Sequence, residues 1–150
     1  MEHAGLGVTI RECRPEEAEA VLLLWAQADA TPSVTDTADQ LRRSIHSGAA
    51  LVLLAEIAGR IVGSVIGGFD GWRGNLYRLA VHPEYRRRGI ASALVREAEH
   101  RLVEAGAARI TALVEREHAE AMAFWQAAGH APDNRMVRYV RNFCICAITG

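Results

Sequence analysis

The chain has 150 residues and a formal net charge of −1, with 50% hydrophobic and 23% charged residues. This is the size and composition of one globular domain, able to bury about two-thirds of its unfolded surface without a disulfide or a metal. The balanced charge excludes a general nucleic-acid binder, and no apolar run approaches the roughly 20 residues needed to span a membrane. Three cysteines (Cys13, Cys144 and Cys146) make an odd count, and a single C-x-C pair supplies too few ligands for zinc. They are expected to be reduced thiols in a cytoplasmic protein, with no bound metal. The opening "MEHAGLGVTIREC" lacks the basic start and apolar core of a secretory leader.

"VTIREC" (8–13) alternates apolar and polar residues as a half-buried strand does. "RPEEAEAVLLLWAQAD" follows as a helix, with Pro15 in its first turn, Glu16 and Glu17 at the positive end of its dipole, and Ala18, Val21, Leu22 and Trp25 at helical spacing. "TPSVTDT" breaks it, Asp36 or Thr37 caps a second helix, "ADQLRRSIHS", and Gly48 ends that helix. "ALVLLAEIAGRIVGSVIGG" predicts two strands joined at Ala58-Gly59, and "LYRLAVH" predicts a third, stopped by Pro83. A long helix runs from Gly89 to about Ala105, with Ala91, Leu94, Val95, Ala98 and Leu102 in one stripe. "ARITALV" is a strand, "AEAMAFWQAAG" a helix, and "MVRYVRNF" a closing strand. With no repeat or linker, this order predicts a single α+β domain over residues 1–150. Its sheet would be largely antiparallel, with a βαβ unit towards the C-terminal half.

"VHPEYRRRGIASALV" (81–95) places three arginines and a glycine where a strand hands over to a helix. A helix N-terminus offers unpaired N–H groups and partial positive charge, and a turn before it can aim further N–H groups into one concavity. Gly89 and Ala91 keep side-chain bulk away, and Arg86, Arg87 and Arg88 add positive charge. A diphosphate satisfies all of this, although a solvated basic turn has the same composition. The pattern is neither a Walker loop nor a G-x-G-x-x-G fingerprint.

These residues resemble the signature of the GNAT superfamily of acyl-CoA-dependent N-acyltransferases, Arg/Gln-x-x-Gly-x-Gly/Ala starting five residues after a strand-ending Val or Ile. Here it is Val81, then Arg86-Arg87-Arg88-Gly89-Ile90-Ala91. "TIRECRPEEAEAVLLLW" and "FWQAAGH" resemble the family's first strand and helix and its "FYEKLGF" segment. Gly67-Gly68-Phe69-Asp70-Gly71 resembles a loop of small bacterial members of unassigned substrate. The resemblance implies a mixed, mostly antiparallel sheet of about six to seven strands, two of them parallel, central and splayed (76–81 and 109–114), flanked by about four helices. It implies acetyl-CoA as cosubstrate and an amine as acceptor. The amides from Arg87 to Ala91 would hold the pyrophosphate, and the backbone of Leu79, Ala80 and Val81 would pair with the pantetheine arm. The Leu79 amide would polarise the thioester carbonyl.

Three positions depart from the family's pattern. Trp125 stands where many members carry an acidic Tyr, His118 where an Asn contacts pantetheine, and Asn75 where some members carry a Glu base. An indole N–H donates but is no acid near neutral pH. The residues themselves leave several roles open. Asp70 could hold an ammonium, act as a base through water, or only form a turn; Tyr77, expected to share a side with Leu79 and Val81, is core or catalytic. Glu115 could reach an acceptor or be solvated. Trp25 and Trp72 could line a substrate pocket, with core packing the simpler role for Trp25. The tail "CICAITG" (144–150) could cover a sheet edge or a homodimer seam. An N-acetyltransferase working by direct amine attack is the expected function, with a non-catalytic acyl-CoA-binding module as the alternative.

Overall fold

The computed structural model describes residues 2–3 and 7–144; Cys146 and the rest of the tail lie outside the described residues. The chain forms two compact units, Met1–Leu113 and Val114–Gly150.

The first unit carries a sheet of six strands, ordered as they occur in the chain. They are β1 (Glu2–His3), β2 (Val8–Glu12), β3 (Ala50–Ile57), β4 (Arg60–Phe69), β5 (Gly74–Val81) and β6 (Ile110–Ala112). Neighbours from β1 to β5 are antiparallel and only β5 with β6 is parallel. Both β3 and β4 contain unbroken buried runs, as strands covered on both faces must. Their turn uses Ala58 (φ 49°) and Gly59 (φ 80°), the double positive φ that matches the twist of a tight hairpin.

Helices α1 (Ala18–Gln27), α2 (Ala38–Ser47) and α3 (Ile90–Ala105) belong to the same unit. Thr37 rather than Asp36 caps α2, its Oγ1 accepting from the Gln40 N–H at 3.1 Å, and Gly48 ends it at φ 72°. Val21, Trp25 and Leu41 from α1 and α2 pack with Val52, Leu54, Ile66 and Ala80 of the sheet. Along β4, Ser64 meets Trp25 of α1, whereas Gly63 faces Ile90 and Leu94 of α3. Successive strand residues point to opposite faces, so α1 and α3 cover opposite faces of the sheet. Three glycines let α3 lie close. A Cβ on Gly63 would sit 3.0 Å from Leu94, one on Gly67 3.4 Å from Leu102, and one on Gly74 3.3 Å from Leu102.

The second unit holds α4 (Ala119–Ala127), capped by His118, whose Nδ1 accepts from the Ala121 N–H at 3.1 Å. The expected closing strand "MVRYVRNF" is not formed: residues 136–143 carry no strand, and Met136, Val137, Tyr139, Val140 and Phe143 are exposed. An alternating pattern becomes a strand only when a neighbour accepts its ladder, and none does so among the described residues. The expected strand at 109–114 shortens to Ile110–Ala112. Among the described residues the sheet therefore has five strands of three residues or more and one of two residues, slightly fewer than the six to seven expected. No helix among the described residues is long and apolar enough to cross a membrane.

Candidate active site

β5 organises the candidate site because its two edges differ. Towards β4 it is paired from Gly74 to Val81; towards β6 the pairing covers only Gly74, Asn75 and Leu76. Beyond Leu76 the parallel partner has ended, so the edge from Tyr77 to Val81 has no strand beside it on that side among the described residues. Leu79, Ala80 and Val81 lie on this stretch.

The β4–β5 register also slips. Ser64 is opposite Ala80, but Ile66 is opposite Tyr77, so Val65 faces two residues, Arg78 and Leu79. This is a β-bulge, and Arg78 takes it up in the left-handed region at φ 53°. The bulge overturns one expectation. Directly paired residues share a face, so Tyr77 lies with Ile66 and Ala80, while Val81, opposite Gly63, lies on the other face. Tyr77 and Val81 would have shared a face only in an unbroken strand.

After β5 the chain makes one 3₁₀ turn (Pro83–Tyr85) and enters α3. His82 supplies that turn's cap, its Nδ1 accepting from the Glu84 N–H at 3.2 Å. Arg87 (φ 62°) and Gly89 (φ 80°) both take the left-handed conformation, which turns successive N–H groups into a concavity. Gly89 is the N-cap of α3; no side chain caps the helix and no acid stands in its first turn. Backbone amides from Arg87 to Ala91 thus line a helix start with positive character and no competing carboxylate of its own, which fits a diphosphate. The arginines are less mobile than their solvated setting suggests. Arg86 donates from Nε to the Val81 carbonyl (3.3 Å) and from Nη2 to the Ala28 carbonyl (3.1 Å). Arg88 reaches the Glu84 carbonyl (3.4 Å), with its guanidinium 5.0 Å from the Tyr85 ring centre. Arg87 is solvent-exposed, and Ile90 is buried under the helix start.

Asp70 sits between β4 and β5. Its Oδ1 accepts from the N–H groups of Trp72 and Arg73, both at 2.8 Å, and those bonds hold its carboxyl below the usual range. That is a turn-closing carboxylate, ionised and poorly basic. Burial, with a smaller push from Asp70, raises the Tyr77 hydroxyl, which therefore stays protonated near neutral pH. Gly68 makes room for that hydroxyl; a Cβ there would come within 2.6 Å of it. Trp72 is 70% exposed with Arg73 stacked 4.1 Å from its ring centre, while Trp25 is buried in the core.

In the second unit, Glu115 is exposed on the turn before α4, and its carbonyl accepts from the His118 N–H at 3.1 Å. The cap leaves His118 only its Nε2 for another partner. Trp125 is buried, edge-on to Phe124 (5.4 Å) and His130 (4.9 Å).

Sequence reasoning missed a network that holds the bulge. The Arg78 guanidinium makes a fork to Asp36, Nε to Oδ1 at 3.1 Å and Nη2 to Oδ2 at 2.6 Å, and donates to the Thr31 carbonyl at 2.8 Å. Beneath it, Trp25 Nε1 donates to Ser64 Oγ (2.9 Å), and Ser64 Oγ donates to the Arg78 carbonyl (3.1 Å). The one available signal was Ser64 itself, a hydroxyl inside an otherwise apolar strand, which must find partners when buried.

The arrangement is an antiparallel sheet with one short parallel pair at its β6 edge, and a basic glycine turn opening the crossover helix. The profile of the acetyltransferase (GNAT) family matches residues 18–130, and the chain belongs to that family, the acetyl-CoA-dependent acyltransferases. An acetyltransferase of Sodalis glossinidius (strain morsitans) is 41% identical over 105 residues, 70% of this chain and 74% of that protein. Among solved structures, an aminoglycoside antibiotic 6'-N-acetyltransferase from Acinetobacter baumannii superposes with a TM-score of 0.75 at 21% identity, covering 92% of this chain and all of that one. An aminoglycoside acetyltransferase in complex with a coenzyme A bisubstrate analogue gives 0.73 at 19% identity, covering 91% and 99%. These two show the fold.

Proposed function

We propose that the protein moves an acetyl group from acetyl-CoA to a primary amine by direct attack, with both units acting as one domain over residues 1–150. The observation that carries this is a strand edge at 77–81, with no strand beside it among the described residues, followed after one short turn by an uncapped basic helix start at 86–91. That is where an extended, phosphate-tipped molecule fits. The amides from Arg87 to Ala91 would hold the pyrophosphate and the backbone of Leu79 to Val81 the pantetheine arm, with His118 and Trp125 as further candidate contacts. When bound, acetyl-CoA supplies an activated thioester. The chain's own part is to orient it, to place the Leu79 N–H where negative charge develops on oxygen, and to exclude water. Tyr77, neutral and 41% exposed, is suited to donate a hydrogen bond or proton; Asp70, its carboxyl held below the usual range, is suited to hold a cationic acceptor rather than to deprotonate it, and Glu115 is a further candidate contact for the acceptor.

Trp125 in place of an acidic Tyr, and Asn75 in place of a base, favour a second reading as a non-catalytic acyl-CoA-binding module. Free-thiol release over a panel of amines separates the two. The panel should include amino acids, peptide N-termini, polyamines and, given the fold neighbours, amino sugars. Under either reading acetyl-CoA raises the melting temperature where acetate does not, because ligand at 100 times Kd stabilises by about 2.7 kcal/mol. Absence of both the shift and any heat of binding would remove the cofactor site.

A further inference from the structure

The bulge in β5 is held from inside the protein by one hydroxyl. Ser64 is wholly buried and placed between Trp25 and Arg78. An indole N–H can only donate and a carbonyl can only accept, so the sense of the chain is fixed: Trp25 Nε1 to Ser64 Oγ, then Ser64 Oγ to the Arg78 carbonyl. The peptides of this chain are all trans among the described residues. In a trans peptide the N–H of the next residue points opposite to the carbonyl. Because the Arg78 carbonyl is drawn to Ser64, the Leu79 N–H of the same peptide unit points away from Ser64. Arg78 is not a glycine, and the left-handed conformation costs such a residue about 1–2 kcal/mol. Nothing local favours it; the Ser64 bond inside and the Asp36 fork outside do.

We infer that Ser64 is a positioning residue for acyl transfer: its hydroxyl sets the plane of the Arg78–Leu79 peptide and so aims the Leu79 N–H at the thioester carbonyl. This rests on the proposal that Leu79 polarises that carbonyl. A donor fixed before the reaction costs no reorganisation when charge develops, so a freed peptide loses rate even where cofactor binding survives. A purely structural role, in which Ser64 only satisfies the buried indole, leads to a different pattern of loss.

The test reads the infrared carbonyl stretch of carbonyl-¹³C acetyl-CoA bound to excess protein, against the free compound. Ser64→Ala removes the bond to Arg78; Trp25→Phe removes the donor to Ser64, keeps an aromatic ring under the Arg78 guanidinium (5.3 Å from the Trp25 ring centre) and leaves the Ser64 hydroxyl to hold the Arg78 carbonyl. The stretch is expected lowered in the parent and in Trp25→Phe, and returned towards the free value in Ser64→Ala. Melting-temperature shifts with acetyl-CoA should be retained in both variants, since the pyrophosphate turn is intact. With an acceptor from the panel, kcat of Ser64→Ala falls by no more than loss of an oxyanion donor, roughly 10²–10³-fold, while KM for acetyl-CoA holds. Should Ser64→Ala not fold, Ser64→Cys, which keeps a weak donor, is expected to give an intermediate frequency. A parent-like frequency in Ser64→Ala, or equal displacement in Ser64→Ala and Trp25→Phe, overturns the inference. A parent that binds acetyl-CoA with an unshifted carbonyl overturns the Leu79 proposal instead, and the inference with it.

Discussion

The turn from Arg86 to Ala91 lies in the first unit and the helix α4 in the second, and the two are built from different materials. The turn works through its backbone: two left-handed residues, an uncapped helix start and a strand that has lost its neighbour. In α4 the proposed cofactor contacts, His118 and Trp125, are side chains that already do local work. His118 caps its own helix and Trp125 packs edge-on against Phe124 and His130. Backbone geometry survives most substitutions; a proton donor does not survive one. Cofactor binding and proton transfer should therefore respond very differently to mutation.

The largest effect expected is at the turn. Gly89→Glu places a side chain and a negative charge where the diphosphate should sit, and is expected to weaken acetyl-CoA binding by at least about 100-fold in calorimetry. Gly89 has φ 80°, so a side chain also strains the backbone by about 1–2 kcal/mol. Gly89→Asn, a residue that tolerates this region, controls for strain and should stay folded and keep more of the binding. A folded Glu variant that binds as the parent does would break the comparison at its stronger end.

Asp36→Ala tests whether the bulge needs its outer clamp. It leaves the Arg78 guanidinium, only 19% exposed in its side chain, without its fork partner, and should cost about 1–3 kcal/mol in urea unfolding. An unchanged midpoint would show that the pair does not support the fold.

A side-chain network elsewhere in the first unit can be titrated. Hydrogen bonds from Arg11, at 2.7 Å and 3.0 Å, lower the Glu17 carboxyl from 4.5 to about 2. A depressed acid stabilises the fold above its unfolded value and loses that contribution as pH falls through its folded value. Stability should thus drop between about pH 4.5 and 2, and Glu17→Gln should flatten that part of the curve. Parallel curves for parent and variant would show that another acid governs the window.

The smallest effect is expected in α4. Trp125→Phe removes a donor that is no acid and should leave turnover nearly unchanged, apart from a modest packing loss in melting temperature. Trp125→Tyr should turn over at least as fast, any gain staying within the roughly 10²–10⁴-fold range of acid catalysis. A folded Phe variant that binds acetyl-CoA yet loses activity by orders of magnitude would show that the indole N–H holds a reacting group.

Legibility in the sequence followed the same division. Helix starts, hairpin glycines and buried strands announce themselves through short-range spacing, and Gly48, Gly59 and Gly89 stand where their patterns place them. The bulge did not announce itself: Arg78 in a strand looks like any half-exposed residue, and its left-handed φ comes from partners 14 and 42 positions away. Of the two cap residues that the sequence offers before α2, Asp36 and Thr37, Thr37 caps the helix, and the Asp36 carboxylate serves Arg78. The segment 136–143 has strand chemistry but no ladder partner among the described residues, and a partner is not a property of the segment.

The glycines under α3 give this enzyme an uneven mechanical tolerance. From Ile90 to Leu102 the helix rises about 18 Å, and it rests on the sheet where side chains are missing. Near its far end, a methyl on Gly67 would meet Leu102 at 3.4 Å, a contact that ordinary packing accepts. Near its start, a methyl on Gly63 would press on Leu94 at 3.0 Å, on Ile90 at 3.2 Å and on Ala55 at 3.3 Å, with little room to yield. A shim at Gly63 would lift the end of the rod that carries the anion-facing amides, whereas one at Gly67 would hardly tilt it. Crowding at Gly63 thus bears on the phosphate turn, while comparable crowding at Gly74, 3.3 Å from Leu102, bears on the far end; Gly63 does so although it belongs to a different strand from any residue expected to touch the cofactor.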